Sequence, residues 1–430
     1  MKLRHKLLGM GLGVVVLWGN SSPLNAITPN EVAGELDATD ETFEDETFYE
    51  VHTFEGQAGE TITIELQSEA FDTYLLLKNA VGNTIAKNDD FDGGKNSRIV
   101  IELPETATYS IYANSYEAQA TGRYQLSWRE ATQTEILQAE ADQLLQTAIE
   151  QYNVSQFREA LANWEKSLKL YRQIGNRQGE ASSLGNLGVA YESLGEYERA
   201  IAFHQQYLDI AREIGDRQGE ASSLHGFGNA YWNLGEYQRA IVFYQQSLDI
   251  DREIGNRQGE AQSLGNLGVA YNSLGEYQRA IAFHQQYLKI AREIGDRQGE
   301  AQSLGNLGIA YDSLGEYQRA ISFHQQSLDI DREIGDRQGE ATSLGNLGVA
   351  YQSLGEYQRA IVFYQQYLDI AREIGDRQGE ATSLGNLGVA YQSLGEYQRA
   401  IAFYQQSLEI AREIGDRQGE AYSLGNLGNA

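Results

Sequence analysis

Apolar residues recur along this chain with two different periods. Over residues 31–129 the period is two. Thr61-Ile62-Thr63-Ile64-Glu65-Leu66, Ile99-Val100-Ile101-Glu102-Leu103, Tyr109-Ser110-Ile111-Tyr112-Ala113 and Tyr124-Gln125-Leu126-Ser127-Trp128 all read this way. Such alternation buries one face of a strand and wets the other. The groups Gln57-Ala58-Gly59, Val81-Gly82-Asn83, Asp92-Gly93-Gly94 and Ala120-Thr121-Gly122 supply turns between the runs. Short strands at this spacing predict a small all-β sandwich.

From Ala139 onward the spacing becomes helical and the whole pattern repeats every 40 residues. Leu184-Gly185-Asn186-Leu187-Gly188 returns at 264, 304, 344, 384 and 424, and Gly195-Glu196-Tyr197 at 235, 275, 315, 355 and 395. Each unit reads as two helices. The first covers about Gln178 to Leu194, with Leu184, Leu187, Tyr191 and Leu194 on one face, and Gly195 ends it. The second covers about Tyr197 to Ile214, with Ala200, Ile201, Phe203, Leu208, Ile210 and Ile214 as its apolar set. Gly215 stops it, and Asp216, or Asn176 and Asn256 elsewhere, suits the N-cap of the next helix. Neither helix buries its stripe alone, so stacked units bury it for one another in an α-solenoid. The expected organisation is a β-sandwich at 31–129, a polar link at 130–138 and helical repeats at 139–430. The repeats comprise a divergent unit at 139–178, six full units at 179–418 and a partial one at 419–430.

Both regions resemble known families. Gly34-Glu35-Leu36, Phe71-Asp72-Thr73-Tyr74-Leu75, Asn88-Asp89-Asp90, Asn96-Ser97, Leu103-Pro104, Thr108-Tyr109 and Gly122-Arg123-Tyr124 stand in the order seen in bacterial pre-peptidase C-terminal domains. The resemblance implies a jelly-roll-like, non-catalytic sandwich appended to secreted proteins, some of which bind calcium. In the repeats, Leu187, Gly188, Tyr191, Gly195, Tyr197, Ala200 and an aromatic near 203 resemble the tetratricopeptide pattern. The unit is longer than the usual length of about 34 residues, the second helix having gained Ala211-Arg212-Glu213-Ile214. This longer form is similar to Pins-type adaptors and to cyanobacterial repeat arrays. It implies binding of extended peptides in the groove of a superhelix.

Charge narrows the partners. With 33 Lys+Arg against 61 Asp+Glu, the net charge is −28. That field suits neither nucleic acid nor an anionic membrane surface, and favours cationic or polar peptides and divalent cations. The absence of cysteine excludes disulfides, thiolate metal sites and a cysteine nucleophile. Lys2, Arg4, His5 and Lys6 precede a 12-residue apolar run from Leu7 to Trp18, and Leu24-Asn25-Ala26 follows. This reads as an export signal over 1–26 with a mature start near Ile27, or else as a buried N-terminal helix. The run is shorter than the roughly 20 residues a membrane span needs. A periplasmic or secreted location with no stable membrane anchor is expected.

No Gly-x-Ser-x-Gly, phosphate-binding Gly-rich loop with Lys, or His-Glu-x-x-His occurs. The chain is therefore expected not to be an enzyme and to need no cofactor, calcium being the one ion considered. The repeat carboxylates read as solvated polar faces. Because the array stops inside a helix, the alternative to a scaffold is the N-terminal part of a larger CHAT-type peptidase or effector.

Three sets of residues stand out. Asn186, Asn266, Asn306, Asn346 and Asn386 recur at one first-helix position. A primary amide both donates and accepts, so a ladder of them suits an extended peptide backbone; alternatively each bonds within its own hairpin. Unit two breaks the ladder with Leu224-His225-Gly226-Phe227. Asp89, Asp90 and Asp92 lie in an oxygen-rich turn fit for weak calcium binding or simply for solvent. His204, His284 and His324 share a position with Tyr244, Tyr364 and Tyr404, which marks them as core residues rather than metal ligands.

Overall fold

The period-two segments fold as strands of two antiparallel sheets. One sheet has the order β1 (Asn30–Leu36), β9 (Gly122–Glu130), β4 (Thr61–Gln67), β7 (Ser97–Glu102). The other has the order β2 (Glu41–Thr42), β3 (Phe48–Gly56), β8 (Ala107–Ser115), β5 (Thr73–Lys78), β6 (Thr84–Asn88). Ile62, Ile64, Leu66 and Leu126 of the first sheet and Leu75, Leu77 and Ile111 of the second are fully buried in one shared core. The register places Ile64 opposite Ile99 on one side and Trp128 on the other. Gly34 is glycine for a packing reason: a Cβ there would overlap the ring of Tyr124.

These are features of a computed structural model, which describes residues 30–91 and 94–430. The expected export signal at 1–26 and Asp92 fall outside the described residues. The chain divides into two units, one ending at Ala190 and the other covering Tyr191–Ala430.

Residues 130–138, expected as a link, are mostly helix. α1 (Gln133–Asn153) begins there because Thr132 and Glu135 form a capping box. Glu135 is held further by Arg129 at the end of β9, with Nη2 2.6 Å from Oε1, and by the hydroxyl of Thr63 at 3.1 Å. The carboxyl of Glu135 sits near 2, the Arg129 hydrogen bonds outweighing the cost of burial. Only Ala131 and Thr132 join strand to helix.

The helices continue as α2 (Phe157–Ile174), α3 (Arg177–Ser193), α4 (Tyr197–Ile214), α5 (Arg217–Asn233), α6 (Tyr237–Ile254), α7 (Arg257–Ser273) and α8 (Tyr277–Ile294). They are followed by α9 (Arg297–Ser313), α10 (Tyr317–Ile334), α11 (Arg337–Ser353), α12 (Tyr357–Ile374), α13 (Arg377–Ser393), α14 (Tyr397–Glu413) and α15 (Arg417–Asn429). Each Asp or Asn before a first helix caps it: Asp296 Oδ1 accepts from Gly299 N at 2.8 Å. Gly215 closes α4 at φ 74°, a left-handed conformation that glycine adopts without a Cβ clash. Among the described residues, no helix is long and apolar enough to cross a membrane.

Within a hairpin the aromatic rings stack. Tyr311 and Phe323 lie 5.3 Å apart and parallel, and the Arg319 guanidinium sits 4.1 Å from the centre of the Tyr311 ring. Between hairpins the polar residues do more than face solvent. Glu220, Glu260, Glu300, Glu340 and Glu380 are buried. Each takes one arginine from the preceding second helix and one from its own first turn. Glu300, for instance, accepts from Arg292 Nε at 2.7 Å and from Arg297 Nη1. Arg297 also reaches Glu333, in the second helix of the same hairpin. The expectation that these carboxylates are only a solvated face is corrected here. The glutamate ladder is a structural tie that joins successive hairpins.

Candidate functional site

In the second unit, successive first helices touch: α5 with α7, α7 with α9, α9 with α11 and α13 with α15. Among the described residues no pair of second helices meets to the same extent, so the first helices form the inner wall of these repeats. The asparagine ladder lies on this wall. Asn266, Asn306, Asn346 and Asn386 are all half-buried. Three residues further along each helix stand Val269, Ile309, Val349 and Val389, of which Ile309 and Val349 are 38% and 42% exposed. Residues three apart are neighbours on a helix surface, so an amide row runs beside an apolar row. Among the described residues no side-chain hydrogen bond engages Asn306, Asn346 or Asn386. The donor and acceptor of each amide point to no partner within the hairpin. Asn186, in the unit that ends at Ala190, is half-buried on α3.

Asn266 differs. Its Nδ2 donates to His225 Nε2 at 3.1 Å and to Asn229 Oδ1 at 3.5 Å, both on α5. The departure of unit two from the repeat therefore builds something specific. Asn229 replaces the Val or Ile of its neighbours, and Trp232 stands where Asn272, Asp312, Gln352 and Gln392 stand. Asn229, Trp232, Asn233, Tyr244, Asn266 and Glu192 surround a cavity of about 260 Å³. Tyr244 donates its hydroxyl to Asn229 Oδ1 at 2.9 Å, and Asn233 Nδ2 donates to the Asn229 carbonyl at 2.9 Å. Glu192 Oε1 accepts from His204 Nε2 at 2.7 Å. Burial, reinforced by nearby His204, pushes His225 down to about 4, so at neutral pH its ring is uncharged and accepts from Asn266. The sequence signal for this cavity was the broken motif itself, which on its own does not say whether a wall is lost or a pocket made.

The histidines at the shared second-helix position are core residues. His204, His284 and His324 are buried, and burial takes His284 down to about 4. The rings of His284 and His324 cover the glycine at the Gly188 position, where a Cβ on Gly268 or Gly308 would overlap them, whereas the His204 ring lies against Gly226, at the Asn186 position of the next hairpin. Gly348 and Gly388 lie in the same way under Tyr364 and Tyr404. The glycine at the Gly185 position is less confined. A Cβ on Gly305 would lie 3.5 Å from Ser327 Oγ, an ordinary contact.

In the β domain, the acidic turn is held by its own side chains. Asn88 Oδ1 accepts from Arg98 N at 2.8 Å, Asp89 Oδ1 accepts from Asp90 N at 3.1 Å, and the Arg98 guanidinium covers Phe91 at 3.6 Å. Thr73 and Ser97, buried beneath, share a 2.6 Å hydroxyl hydrogen bond. The fold brings Asp72 toward the turn, a neighbour the sequence did not pair with it. Burial, then the nearby Asp90, raises the Asp72 carboxyl above the usual range. Among the described residues, no group of three or more His, Cys, Asp or Glu is disposed to hold a metal ion.

A family model described as tetratricopeptide repeat matches residues 148–213, 219–293, 260–333, 299–373 and 379–430. No curated protein matches the sequence. Among solved structures, the apo form of RapI superposes with a TM-score of 0.53 at 17% identity, covering 64% of this chain and 99% of that one. Aspartyl phosphate phosphatase F from Bacillus subtilis superposes with a TM-score of 0.51 at 14% identity, covering 64% and 71% respectively. At these identities the likeness is one of fold.

Proposed function

Because the chain belongs to the tetratricopeptide repeat family, we propose that it is an exported, non-catalytic scaffold that binds an extended peptide, or an extended segment of a partner protein, along the inner wall of its repeats. The observation that carries this reading is the row of unengaged amides at Asn306, Asn346 and Asn386, beside exposed Ile309 and Val349. An amide brackets any peptide unit regardless of its side chain, and an apolar row gives alternate side chains somewhere to rest. Nearly identical units at a constant 40-residue interval present the same step repeatedly, which matches an extended chain better than a folded surface. The net charge of −28 argues for a protein partner over nucleic acid. Export rests on the basic and apolar stretches at the N-terminus. The N-terminal β domain is read as a pre-peptidase C-terminal-type module on the motifs that run from Gly34 to Tyr124.

The test begins by selecting binders to the full chain from a display library of random linear peptides. Each lost hydrogen bond removes ~0.5–1.5 kcal/mol. The double substitution Asn306→Ala/Asn346→Ala is therefore expected to weaken selected peptides by about tenfold or more. Helicity and melting should stay unchanged, since neither amide holds the fold together. Unaltered affinity would remove the ladder from the account, and early unfolding would make the asparagines packing residues.

A further inference from the structure

The cavity at unit two is not another step of the ladder. At about 260 Å³ it is smaller than the roughly 300–1,000 Å³ of sites that enclose whole small molecules. It has the scale of a socket for one side chain. Its wall carries one formal charge, that of Glu192, and no lysine or arginine. Glu192 uses Oε1 to accept from His204, and no hydrogen bond within the described residues engages Oε2. Asn233 has committed its Nδ2 to the Asn229 carbonyl, which leaves the acceptor Oδ1. Trp232 brings an aromatic ring where every later full unit has a small polar side chain. Its indole Nε1–H is enclosed within the protein, so what the ring offers the cavity is its face. Carboxylate, amide oxygen and indole ring in one wall complement a cation: the first two accept its N–H groups and the ring attracts it by its quadrupole. A neutral His225 behind Asn266 adds no opposing charge.

We infer that this cavity is the specificity pocket of the repeat wall, and that it receives a basic side chain, arginine above all, from the extended peptide. The inference rests on the groove reading and adds the register. Amides of the later units hold the main chain without regard to sequence, and the pocket between α5 and α7 decides which residue lies there. Arginine fits better than lysine because its planar guanidinium stacks on the indole while its edge donates to Glu192 and Asn233.

The peptides selected on the full chain supply the test. A basic residue is expected at one fixed position in most of them. Changing that residue to glutamine should weaken binding to the parent by about tenfold. The same change should weaken binding to the Trp232→Gln variant by less than about twofold. Glutamine is the natural occupant at 352 and 392, so this variant retains a repeat-compatible surface. Glu192→Gln should act in the same direction; if loss of the His204 contact lowers its melting point, Trp232→Gln carries the test alone. Asn306→Ala/Asn346→Ala should weaken arginine and glutamine peptides equally. Selected peptides with no basic position, or an arginine preference that survives Trp232→Gln, would overturn the pocket while leaving the groove reading intact. A library that yields no binder would overturn both.

Discussion

Replacing Glu300 with glutamine lowers the urea midpoint of the full chain and splits its unfolding into two steps. Glu300 is 7% exposed and is shared by Arg292 and Arg297. Removing one partner of a buried ion pair typically costs about 3–5 kcal/mol. The arginines here are 53% and 40% exposed, so water recovers part of their hydration and the expected loss is about 2 kcal/mol. A repeat array has mainly nearest-neighbour coupling, so weakening one junction decouples the units on either side. Glu420→Gln is the matched control. Its carboxylate is 19% exposed, its partner Arg417 is 89% exposed, and its loss should be several times smaller. The pH dependence follows the same geometry. Burial opposes ionisation of Glu300, but the hydrogen bonds from Arg292 and Arg297 prevail and hold its carboxyl below 4.5. Its contribution is therefore complete above 4.5 and disappears as the pH falls through the lower folded value. Urea titrations at neutral and acidic pH should show parent and Glu300→Gln converging in acid. His225 and His284 steepen the fall of both proteins alike, because rings that stay neutral down to about 4 when folded protonate near 6.5 when unfolded.

The second large effect is a reversal of sign over three residues. Ordinarily Gly→Ala inside a helix gains about 1 kcal/mol. At Gly305, where a Cβ would meet Ser327 Oγ at 3.5 Å, Gly305→Ala should realise that gain. At Gly308 the added Cβ would overlap the imidazole of His324, itself 0% exposed. The ring has nowhere to move without separating α9 from α10. Overpacking of about 1–3 kcal/mol outweighs the propensity gain, so Gly308→Ala should be destabilising by about 2 kcal/mol at most. Thermal or urea melts of the two variants decide it. Shifts of opposite sign support the packing account, whereas stabilisation by both would mean that the His324 ring does not confine Gly308.

Much of this architecture was legible before the structure, for local reasons. The pattern predicts a second helix over Tyr197 to Ile214, and α4 has those ends. It predicts a first helix over about Gln178 to Leu194, and α3 covers Arg177–Ser193, one residue earlier at each end. Glycines after the apolar stripe and Asp or Asn before the next one mark helix ends through chemistry within a few residues. What stayed illegible depends on distance. The glutamate clamp joins residues eight apart to others thirty-six apart, as in Arg292, Glu300, Arg297 and Glu333. A single repeat shows those charges only as a polar face. The early start of α1 is harder to see, because Ile136-Leu137 is a single apolar pair among polar residues and does not set a helical period alone; the capping box at Thr132 and Glu135 marks the start. Unit two showed as a broken motif, but the cavity needs Asn229 and Trp232 of one hairpin to meet Asn266 of the next.

A ligand that lies on the first-helix wall should be captured there by photo-crosslinking. A photoreactive residue is placed at position 349 on α11 in one protein and at position 362 on α12 in another. Val349 is 42% exposed and Val362 is 54% exposed, so both sites tolerate the change and the second is the more accessible. After irradiation with a selected peptide, mass spectrometry should find the peptide attached at 349 and not at 362. Attachment at 362 with none at 349 would place binding on the outer helices and contradict the account.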